Sequence, residues 1–184
     1  MAEPIAPLAD RRGLDADEHD IVDPLYVGVV TVSSSRDQTD DPGGDLAVEL
    51  IEDAGAQVTQ RRLVADDYAA IQRTVSALAH DETVDCIVTT GGTGVTLDDV
   101  TPTACSALFD REIPGFGELF RAISYDIIGH RAMASRATGG LINDTPVFCL
   151  PGSTGAVKDG LTELILPEAP HLRGLATRHR FESE

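Results

Sequence analysis

Short apolar runs constrain the fold of this chain more than any other feature of its sequence. Residues 25–32 (LYVGVVTV), 84–90 (VDCIVTT) and 145–150 (TPVFCL) are rich in β-branched and apolar side chains, as strands are. Residues 84–90 are an almost continuous apolar run, of the kind that lies buried on both faces of a parallel sheet. Residues 57–64 mix polar and apolar side chains, which is typical of an outer strand.

Helical patterns separate these strands. Leu46, Leu50 and Ile51 share one helix face ahead of Gly55, a residue suited to end a helix. The other helical segments are indicated by Ile71, Val75 and Leu78, by Pro102 in a first turn, by residues 116–126, and by Val157, Leu161, Leu164 and Ile165. The alternation predicts a single α/β domain with a mostly parallel central sheet, whose ligands lie beyond the carboxyl ends of the strands.

The expected domain occupies residues 25–172. Residues 1–24 are rich in Pro, Ala and Asp without a sustained period, so a mobile N-terminal arm is predicted there, and residues 173–184 are predicted to form a tail. The chain has no apolar run as long as a membrane span, and its first residues lack the apolar stretch of a signal peptide. A cytoplasmic protein is therefore expected.

The charge of the chain excludes two classes of partner. The formal net charge is -17, with 31 Asp and Glu against 14 Lys and Arg, and Lys158 is the only lysine. Such a surface repels nucleic acids and acidic membranes, because both attract cations to their phosphates. The composition fits either a generally soluble acidic protein or, as we favour, a protein adapted to a salt-rich cytosol, where screening weakens the repulsion among carboxylates.

The strongest local motif is TTGGTGVTLDDVTP, residues 89–102. The glycines within Gly91–Gly94 let the backbone turn sharply and approach an anion without a Cβ in the way. The helix that follows adds N–H groups and the positive end of its dipole. Asp98 and Asp99 stand at the mouth of this loop, which suggests a Mg²⁺ ion between carboxylate and phosphate. The alternative is a tight turn with a helix cap from Asp98, Asp99 or Thr101.

Two further loops leave predicted strands at the same edge of the sheet. Asp66 follows the strand of residues 57–64, and Pro-Gly-Ser (residues 151–153) follows the strand of residues 145–150. Each has a simpler interpretation, because Asp66 suits a helix N-cap and Pro-Gly-Ser suits an ordinary turn. The convergence of three such loops on one sheet edge nevertheless favours a ligand site.

Four stretches and one weaker match resemble a known family. The stretches are residues 89–102, 109–129 (FDREIPGFGELFRAISYDIIG), Ser135-Arg136 and 150–154 (LPGST), and the weaker match is residues 31–44. They are similar to the MoaB/MogA family of molybdenum cofactor biosynthesis proteins, and more closely to its MoaB branch. The resemblance implies a three-layer α/β fold that assembles as a homotrimer or homohexamer. It also implies Mg²⁺-dependent adenylylation of molybdopterin by ATP, which gives adenylyl-molybdopterin and pyrophosphate, with a downstream metal-insertion protein as a further partner.

The resemblance also implies roles for individual residues. The two functional acids correspond to Asp66 and Asp99, which would hold Mg²⁺ against the triphosphate of ATP. The residues expected to contact nucleotide phosphates are Gly91, Gly92, Thr93, Gly94, Thr101, Pro151, Gly152 and Ser153. Ser153 is expected to donate a hydrogen bond, since attack of one phosphate on another needs no protein nucleophile. The candidates for the pterin phosphate are Ser35, Arg36, Ser135 and Arg136, with Arg121, for which surface ion pairing is the alternative.

Three positions depart from the family pattern. Asp98 stands where Arg usually precedes the metal-binding Asp, Thr103 stands where an acid commonly follows Thr-Pro, and Gly43 replaces the usual Ser. The first change reverses a charge beside the bound triphosphate, so it bears most directly on nucleotide affinity.

Two other functions are alternatives to adenylyl transfer. Residues 96–99 also resemble the loop of CinA-like nucleotide pyrophosphatases, in which water would be the attacking group. A non-catalytic protein that binds and carries molybdopterin is the other alternative. The apolar residues of segment 115–128 are either core or oligomer interface: Phe116, Leu119, Phe120 and Ile123.

Overall fold

The computed structural model describes residues 5–15, 19–35 and 40–181 of the chain. Its strands are β1 (Arg12–Leu14), β2 (Asp20–Val22), β3 (Tyr26–Val32), β4 (Gln57–Val64), β5 (Cys86–Thr90), β6 (Arg111–Glu112), β7 (Thr138–Ile142) and β8 (Thr145–Leu150). Its α-helices are α1 (Leu8–Arg11), α2 (Pro42–Asp53), α3 (Tyr68–Ala79), α4 (Thr101–Ser106), α5 (Pro114–Ile128), α6 (Thr154–Gly160) and α7 (Leu166–Thr177). Short 3₁₀ turns follow α5 and α7, and a π-helical turn (Leu161–Ile165) joins α6 to α7.

Six of the strands form the central sheet, in the order β4-β3-β5-β8-β7-β6. The first four of these run parallel to one another, whereas β7 and β6 are added by antiparallel pairing. The prediction of a single α/β domain with a mostly parallel central sheet is therefore confirmed. The mixed polar and apolar strand of residues 57–64 lies at an edge of the sheet, as expected.

The sheet lies between two layers of helices. All residues of β3 are buried, and successive side chains of a strand point to opposite faces. Val27 and Val29 pack with side chains of α2, α5, α6 and α7, whereas Val30 and Val32 pack with side chains of α3 and α4. Burial on both faces explains why the apolar run of β3 is continuous. No helix within the described ranges combines the length and apolar character needed to cross a membrane.

The N-terminal segment packs on the domain, which corrects the predicted mobile arm over residues 5–15 and 19–24. The helix α1 leads into a hairpin of β1 and β2, and β2 packs against α7. Arg11 anchors this segment, because its buried guanidinium forms an ion pair with the fully buried carboxylate of Asp85. The guanidinium also lies over the ring of Tyr26, 4.1 Å from the centroid.

The C-terminal boundary also differs from the prediction. The helix α7 continues to Thr177, and a 3₁₀ turn extends it to Arg180. Arg173, which was assigned to a tail, is only 4 % exposed, and its Nη1 donates to the carbonyl oxygen of Asp144 at 2.9 Å. The predicted tail is therefore wrong for residues 173–181.

The sequence pattern did not predict β7. This strand (TGGLI) contains two glycines and lacks the β-branched run that marks the other strands. It is joined to β8 by a tight turn in which Asn143 and Asp144 have φ angles of +48° and +64°. Both residue types tolerate this left-handed conformation, and turns of this kind connect antiparallel strands.

Candidate active site

The loops that follow the parallel strands meet at the carboxyl ends of those strands. The loop after β5, residues 91–100, is the glycine loop. It is joined to the end of β8, because the Gly91 N–H donates to the carbonyl oxygen of Leu150 at 2.9 Å. The loop after β3 is joined to the end of β4 by a hydrogen bond of 2.9 Å from the Ser33 N–H to the carbonyl oxygen of Val64.

Two residues of the glycine loop have backbone conformations that other residues rarely adopt. The φ angles of Gly91 and Gly92 are +108° and +63°. A Cβ on Gly91 would lie 2.2 Å from the carbonyl oxygen of Val32, and a Cβ on Gly92 would lie 2.4 Å from the hydroxyl oxygen of Thr101. Both the sharp turn and the close approach of the loop to β3 and α4 therefore require glycine.

Asp66 ties the loop after β4 to the loop after β3. Its Oδ2 accepts a hydrogen bond from the Ser34 N–H at 2.7 Å, and its own N–H donates to Ser34 Oγ at 3.0 Å. Asp67, rather than Asp66, caps α3, since Asp67 Oδ1 accepts from the Ala70 N–H at 2.7 Å. Asp66 Oδ1 lies 3.3 Å from the point that a Cβ on Gly92 would occupy. The N-cap interpretation of Asp66 is therefore wrong, and this carboxylate borders the glycine loop.

Asp99 is held as a carboxylate by its own loop. Its Oδ2 accepts hydrogen bonds from the N–H and the hydroxyl of Thr96, at 2.8 and 2.6 Å. The Thr96 hydroxyl has the largest effect in lowering the pKa of Asp99; partial burial opposes it, and the N–H groups of Thr96 and Gly94 and the charge of Arg136 lower the pKa further. Asp99 is therefore ionised at neutral pH.

The helix cap that the sequence offered as the alternative for this loop is not formed. The N-cap residue of α4 is Val100, and no side chain accepts a hydrogen bond there. Asp98 is exposed to solvent. The Thr101 hydroxyl is buried, and within the described part of the chain it has no hydrogen-bond partner. Such a group is unusual in a folded protein.

A cavity of about 270 Å³ opens between the glycine loop, the loop after β8 and one face of α5. Ser153 caps α6 by accepting a hydrogen bond from the Ala156 N–H at 3.4 Å, which leaves its hydroxyl hydrogen available to a ligand. The side chains of Asp66 and Thr101 lie near Gly92 but do not line the cavity. The predicted site residues that line it are Gly92, Thr93, Gly94, Asp99, Ser135, Pro151, Gly152 and Ser153.

Four further residues of the cavity were not predicted from the sequence as site residues. Phe120, Ser124 and Ile128 lie on α5, and Ala156 lies on α6. The three on α5 are spaced four apart and therefore share one helix face, so the spacing itself was a signal that could have found them. Phe120, Ile128 and Ala156 contribute apolar side chains to the lining, as is common in ligand cavities.

The predicted pterin-phosphate residues do not all meet in this cavity. Ser135 lines the cavity. Arg121 donates from Nη1 to the carbonyl oxygen of Ala137 at 3.0 Å. The structure therefore describes a backbone contact for Arg121 and not the surface ion pair that was its alternative role. Ser35 lies in the loop after β3 and is not among the residues that line the cavity. Arg36 lies outside the described residues.

Asp99 is part of the glycine loop, and Asp66 borders it. The described residues contain no cluster of three or more His, Cys, Asp or Glu side chains that would hold a metal ion by themselves. Two carboxylates at a glycine-rich loop fit Mg²⁺, because this ion commonly takes one or two carboxylates and completes its shell with phosphate oxygens and water. The donor set does not fit a structural Zn²⁺ site, which takes four Cys or His ligands.

The fold and this site belong to a known class of protein. Residues 26–171 match the family described as probable molybdopterin binding domain. The match covers most of the chain, so the protein belongs to this family. Within the family its similarities are to the MoaB and MogA proteins, which confirms the resemblance found in the sequence.

Individual relatives support this assignment. Molybdenum cofactor biosynthesis protein B of Bacillus cereus is 51 % identical over 145 residues, which are 78 % of this chain and 86 % of the relative. A crystal structure of molybdenum cofactor biosynthesis protein B has a TM-score of 0.82 at 48 % identity, covering 84 % of this chain and 96 % of that chain. The tungsten cofactor synthesizing protein MoaB from Pyrococcus furiosus has a TM-score of 0.72 at 35 % identity, covering 84 % and 98 %. A CinA protein from Thermoplasma acidophilum, at 18 % identity and a TM-score of 0.57, shares the fold alone.

Proposed function

We propose that this protein acts in molybdenum cofactor biosynthesis as a molybdopterin adenylyltransferase, which transfers the adenylyl group of Mg-ATP to the phosphate of molybdopterin. The curated relatives are named for molybdenum cofactor biosynthesis, and the family domain is described as molybdopterin binding. The observation that carries the proposal is the cavity in which the glycine loop, the ionised Asp99 and Ser153 meet. These are groups that bind phosphates and neutralise their charge.

In the proposed reaction an oxygen of the molybdopterin phosphate attacks the α-phosphorus of ATP in line. The new P–O bond forms as the bond from the α-phosphorus to the oxygen that bridges to the β-phosphorus breaks, and its electron pair leaves with pyrophosphate. Both substrates are anions, so positioning and charge neutralisation supply most of the catalysis. The protein itself forms no covalent bond in this scheme.

The residues around the cavity divide this work. Asp99 binds Mg²⁺, which neutralises triphosphate charge when it is bound. Asp66 shares that ion or a second one and orients the attacking phosphate. The N–H groups within Gly91–Gly94 stabilise the charge that builds on the α-phosphate. The hydroxyl of Ser153 donates to a phosphate oxygen, since Ser153 lines the cavity and its hydroxyl hydrogen has no described acceptor in the protein.

Incubation of the purified protein with molybdopterin and Mg-ATP, followed by analysis of the products, tests this proposal against its alternatives. Formation of adenylyl-molybdopterin and pyrophosphate in equal amounts is the expected result. Cleavage of a nucleotide diphosphate without molybdopterin would instead support a CinA-like pyrophosphatase. Tight binding of molybdopterin without either product would support a non-catalytic carrier.

We also propose that the protein forms a homotrimer or homohexamer through an apolar patch beside the cavity. Gly94 and Ile128 line the same cavity, so the exposed part of the glycine loop lies near the end of α5. Several exposed apolar side chains on these segments favour an interface. The patch consists of Val95, Leu97, Tyr125, Ile127, Ile128 and Met133, which are between 52 % and 97 % exposed. On α5 itself, Phe116 and Phe120 belong to the core, whereas Leu119 is 57 % exposed.

Leu97→Glu is expected to dissociate the oligomer, because it adds a charge at the most exposed position of the patch. Light scattering coupled to size-exclusion chromatography measures the change in mass. Leu14→Glu is the matched control, since Leu14 is 63 % exposed and lies on β1, outside the patch. A wild-type protein that runs as a monomer, or an unchanged mass in Leu97→Glu, would contradict the proposed interface.

We propose that the protein works in a cytosol of high salt concentration. Its net charge of -17 predicts that added KCl raises the midpoint of thermal unfolding. The rise should be about 2–4 °C for each kcal/mol gained in the free energy of unfolding. Most of the gain is expected below about 0.5 M, because the Debye length falls from about 10 Å at 0.1 M to about 3 Å at 1 M. Calorimetry across this range measures the effect. A midpoint that does not change between low and high KCl would contradict the proposal.

A further inference from the structure

Arg136 contacts the glycine loop at both ends. Its Nε donates to the carbonyl oxygen of Gly94 at 2.7 Å, and its Nη2 donates to the carbonyl oxygen of Asp99. Its backbone N–H donates to the carbonyl oxygen of Thr93 at 3.0 Å. A single residue from the segment before β7 therefore bridges residues 93–99 of the loop.

These contacts orient the carbonyl groups of the loop. The carbonyl oxygens of Thr93, Gly94 and Asp99 all accept from Arg136, and that of Gly92 accepts from the Thr101 N–H at 3.1 Å. Each of these partial negative charges is thus directed toward a donor of the protein. Because a bound phosphate is repelled by carbonyl oxygens and attracted by N–H groups, this orientation favours an anion at the loop.

The guanidinium also brings a positive charge to the loop, close enough to Asp99 to lower the pKa of its carboxyl group. Its third donor, Nη1, lies 3.3 Å from the hydroxyl oxygen of Thr103, so its described partners are two carbonyls and one hydroxyl, all of them neutral. Asp98 and Asp99 place two carboxylates on the same loop. In a chain with a net charge of -17, an arginine whose described hydrogen-bond partners are all neutral matters at this point for the binding of a polyphosphate.

We infer that Arg136 is a positioning residue, which holds the glycine loop in its anion-binding shape, and that the neutral side chain at Thr103 keeps the charge of Arg136 available to a nucleoside triphosphate or pyrophosphate. The inference rests on the proposed function and deepens it. It assigns Arg136 to the nucleotide end of the reaction through the loop, rather than to direct contact with the pterin phosphate. It also makes Thr103, an exposed residue in the first turn of α4, a determinant of nucleotide affinity.

Thr103→Glu tests the role of the charge, with Thr103→Gln as the control of equal size. A carboxylate at this position reaches the guanidinium of Arg136 and neutralises it, whereas the amide does not. Thr103→Glu is expected to raise the Kd for Mg-pyrophosphate and for Mg-ATP by about tenfold or more at low salt, and Thr103→Gln is expected to stay near the parent protein. The difference between the two variants should shrink as KCl is added. Isothermal titration calorimetry measures both ligands without molybdopterin.

Arg136→Lys separates position from charge. Lysine keeps the positive charge but cannot bridge two carbonyls and a hydroxyl with a planar fork. We expect its Kd for Mg-pyrophosphate to rise only a few-fold, while kcat for adenylyl transfer falls by a larger factor with KM for ATP little changed. Arg136→Gln should lose both affinity and turnover. Circular dichroism at the assay temperature confirms that each variant is folded.

The outcomes distinguish this inference from the proposed function. A parent protein that binds both ligands, with Thr103→Glu and Thr103→Gln binding equally well, would overturn the inference alone. A kcat for Arg136→Lys equal to that of the parent protein would overturn the positioning role, because lysine cannot make the bridge. A parent protein that binds neither Mg-ATP nor Mg-pyrophosphate would overturn the proposed function, and the inference with it.

Discussion

Asp99→Asn is expected to lower kcat for adenylyl transfer by about a hundredfold or more, which corresponds to about 2.7 kcal/mol of activation free energy. The asparagine oxygen can still accept the hydrogen bonds that Thr96 donates to Oδ2 at 2.8 and 2.6 Å. The loop should therefore keep its shape while it loses the charge that binds Mg²⁺. Steady-state rates measured over a series of Mg²⁺ concentrations check the prediction, since the variant should need more Mg²⁺ for half-maximal activity.

Asp98→Asn is the matched control for this variant. It makes the same change of charge one residue earlier, at an exposed side chain that is not part of the proposed metal site. Removal of a negative charge beside the bound triphosphate should leave kcat near the parent value and lower the KM for ATP. If Asp98→Asn and Asp99→Asn reduced activity to the same extent, the effect would be one of general charge, and the assignment of Asp99 as the Mg²⁺ ligand would be wrong.

Asp66→Asn distinguishes the two acids. Asp66 exchanges hydrogen bonds with Ser34, at 2.7 and 3.0 Å, so it couples two loops as well as bordering the glycine loop. A change at this position should therefore both raise the KM for molybdopterin and lower kcat, because the loop after β3 loses part of its hydrogen bonding to Asp66. An effect on Mg²⁺ affinity alone would show that Asp66 acts only as a metal ligand.

The parts of the fold that depend on local chemistry could be predicted from the sequence. The buried strands appear as apolar runs because both of their faces are covered, and the turn after β5 needs glycine because a Cβ at Gly91 would meet the Val32 carbonyl oxygen at 2.2 Å. The helix caps could be predicted only in part. Two adjacent acids precede α3, and periodicity does not say which one caps it, so Asp67 caps the helix while Asp66 turns toward Ser34.

The parts that depend on long-range pairing could not be predicted. Arg136 was a candidate for the pterin phosphate because an acidic protein must concentrate positive charge where it accepts an anion. Its partners at Gly94 and Asp99 are more than thirty residues away and are set by the return of the chain toward β7. The same limit applies to the N-terminal segment. Residues 1–24 have no helical or strand period, yet Arg11 meets Asp85 across 74 positions of sequence, which no local pattern reveals.

Asp85→Asn is expected to lower the free energy of unfolding by about 3–5 kcal/mol, because it leaves buried arginines without their counter-charge. The Asp85 carboxylate is fully buried and pairs with Arg11, whose side chain is 3 % exposed. The side chain of Arg173 is 5 % exposed, and its Nε lies 3.4 Å from Asp85 Oδ1. This pair does not have the geometry of a hydrogen bond. The amide oxygen can keep the hydrogen bond from the Tyr26 N–H, which is 3.0 Å long, so the loss measures mainly the charge.

Asp45→Asn provides the comparison that identifies burial as the cause. Asp45 also pairs with an arginine, Arg61, at 2.6 Å, but the side chain of Asp45 is 61 % exposed. Loss of this ion pair should therefore lower the free energy of unfolding by no more than about 1 kcal/mol. Arg11→Met should cost less than Asp85→Asn, because Asp85 then keeps Arg173 as its partner. Urea unfolding at pH 7 measures all three variants, and the slope of the transition shows whether the N-terminal segment detaches. If Asp85→Asn were no more destabilising than Asp45→Asn, the segment before β3 would not be packed on this carboxylate in solution, and the predicted mobile arm would be reinstated.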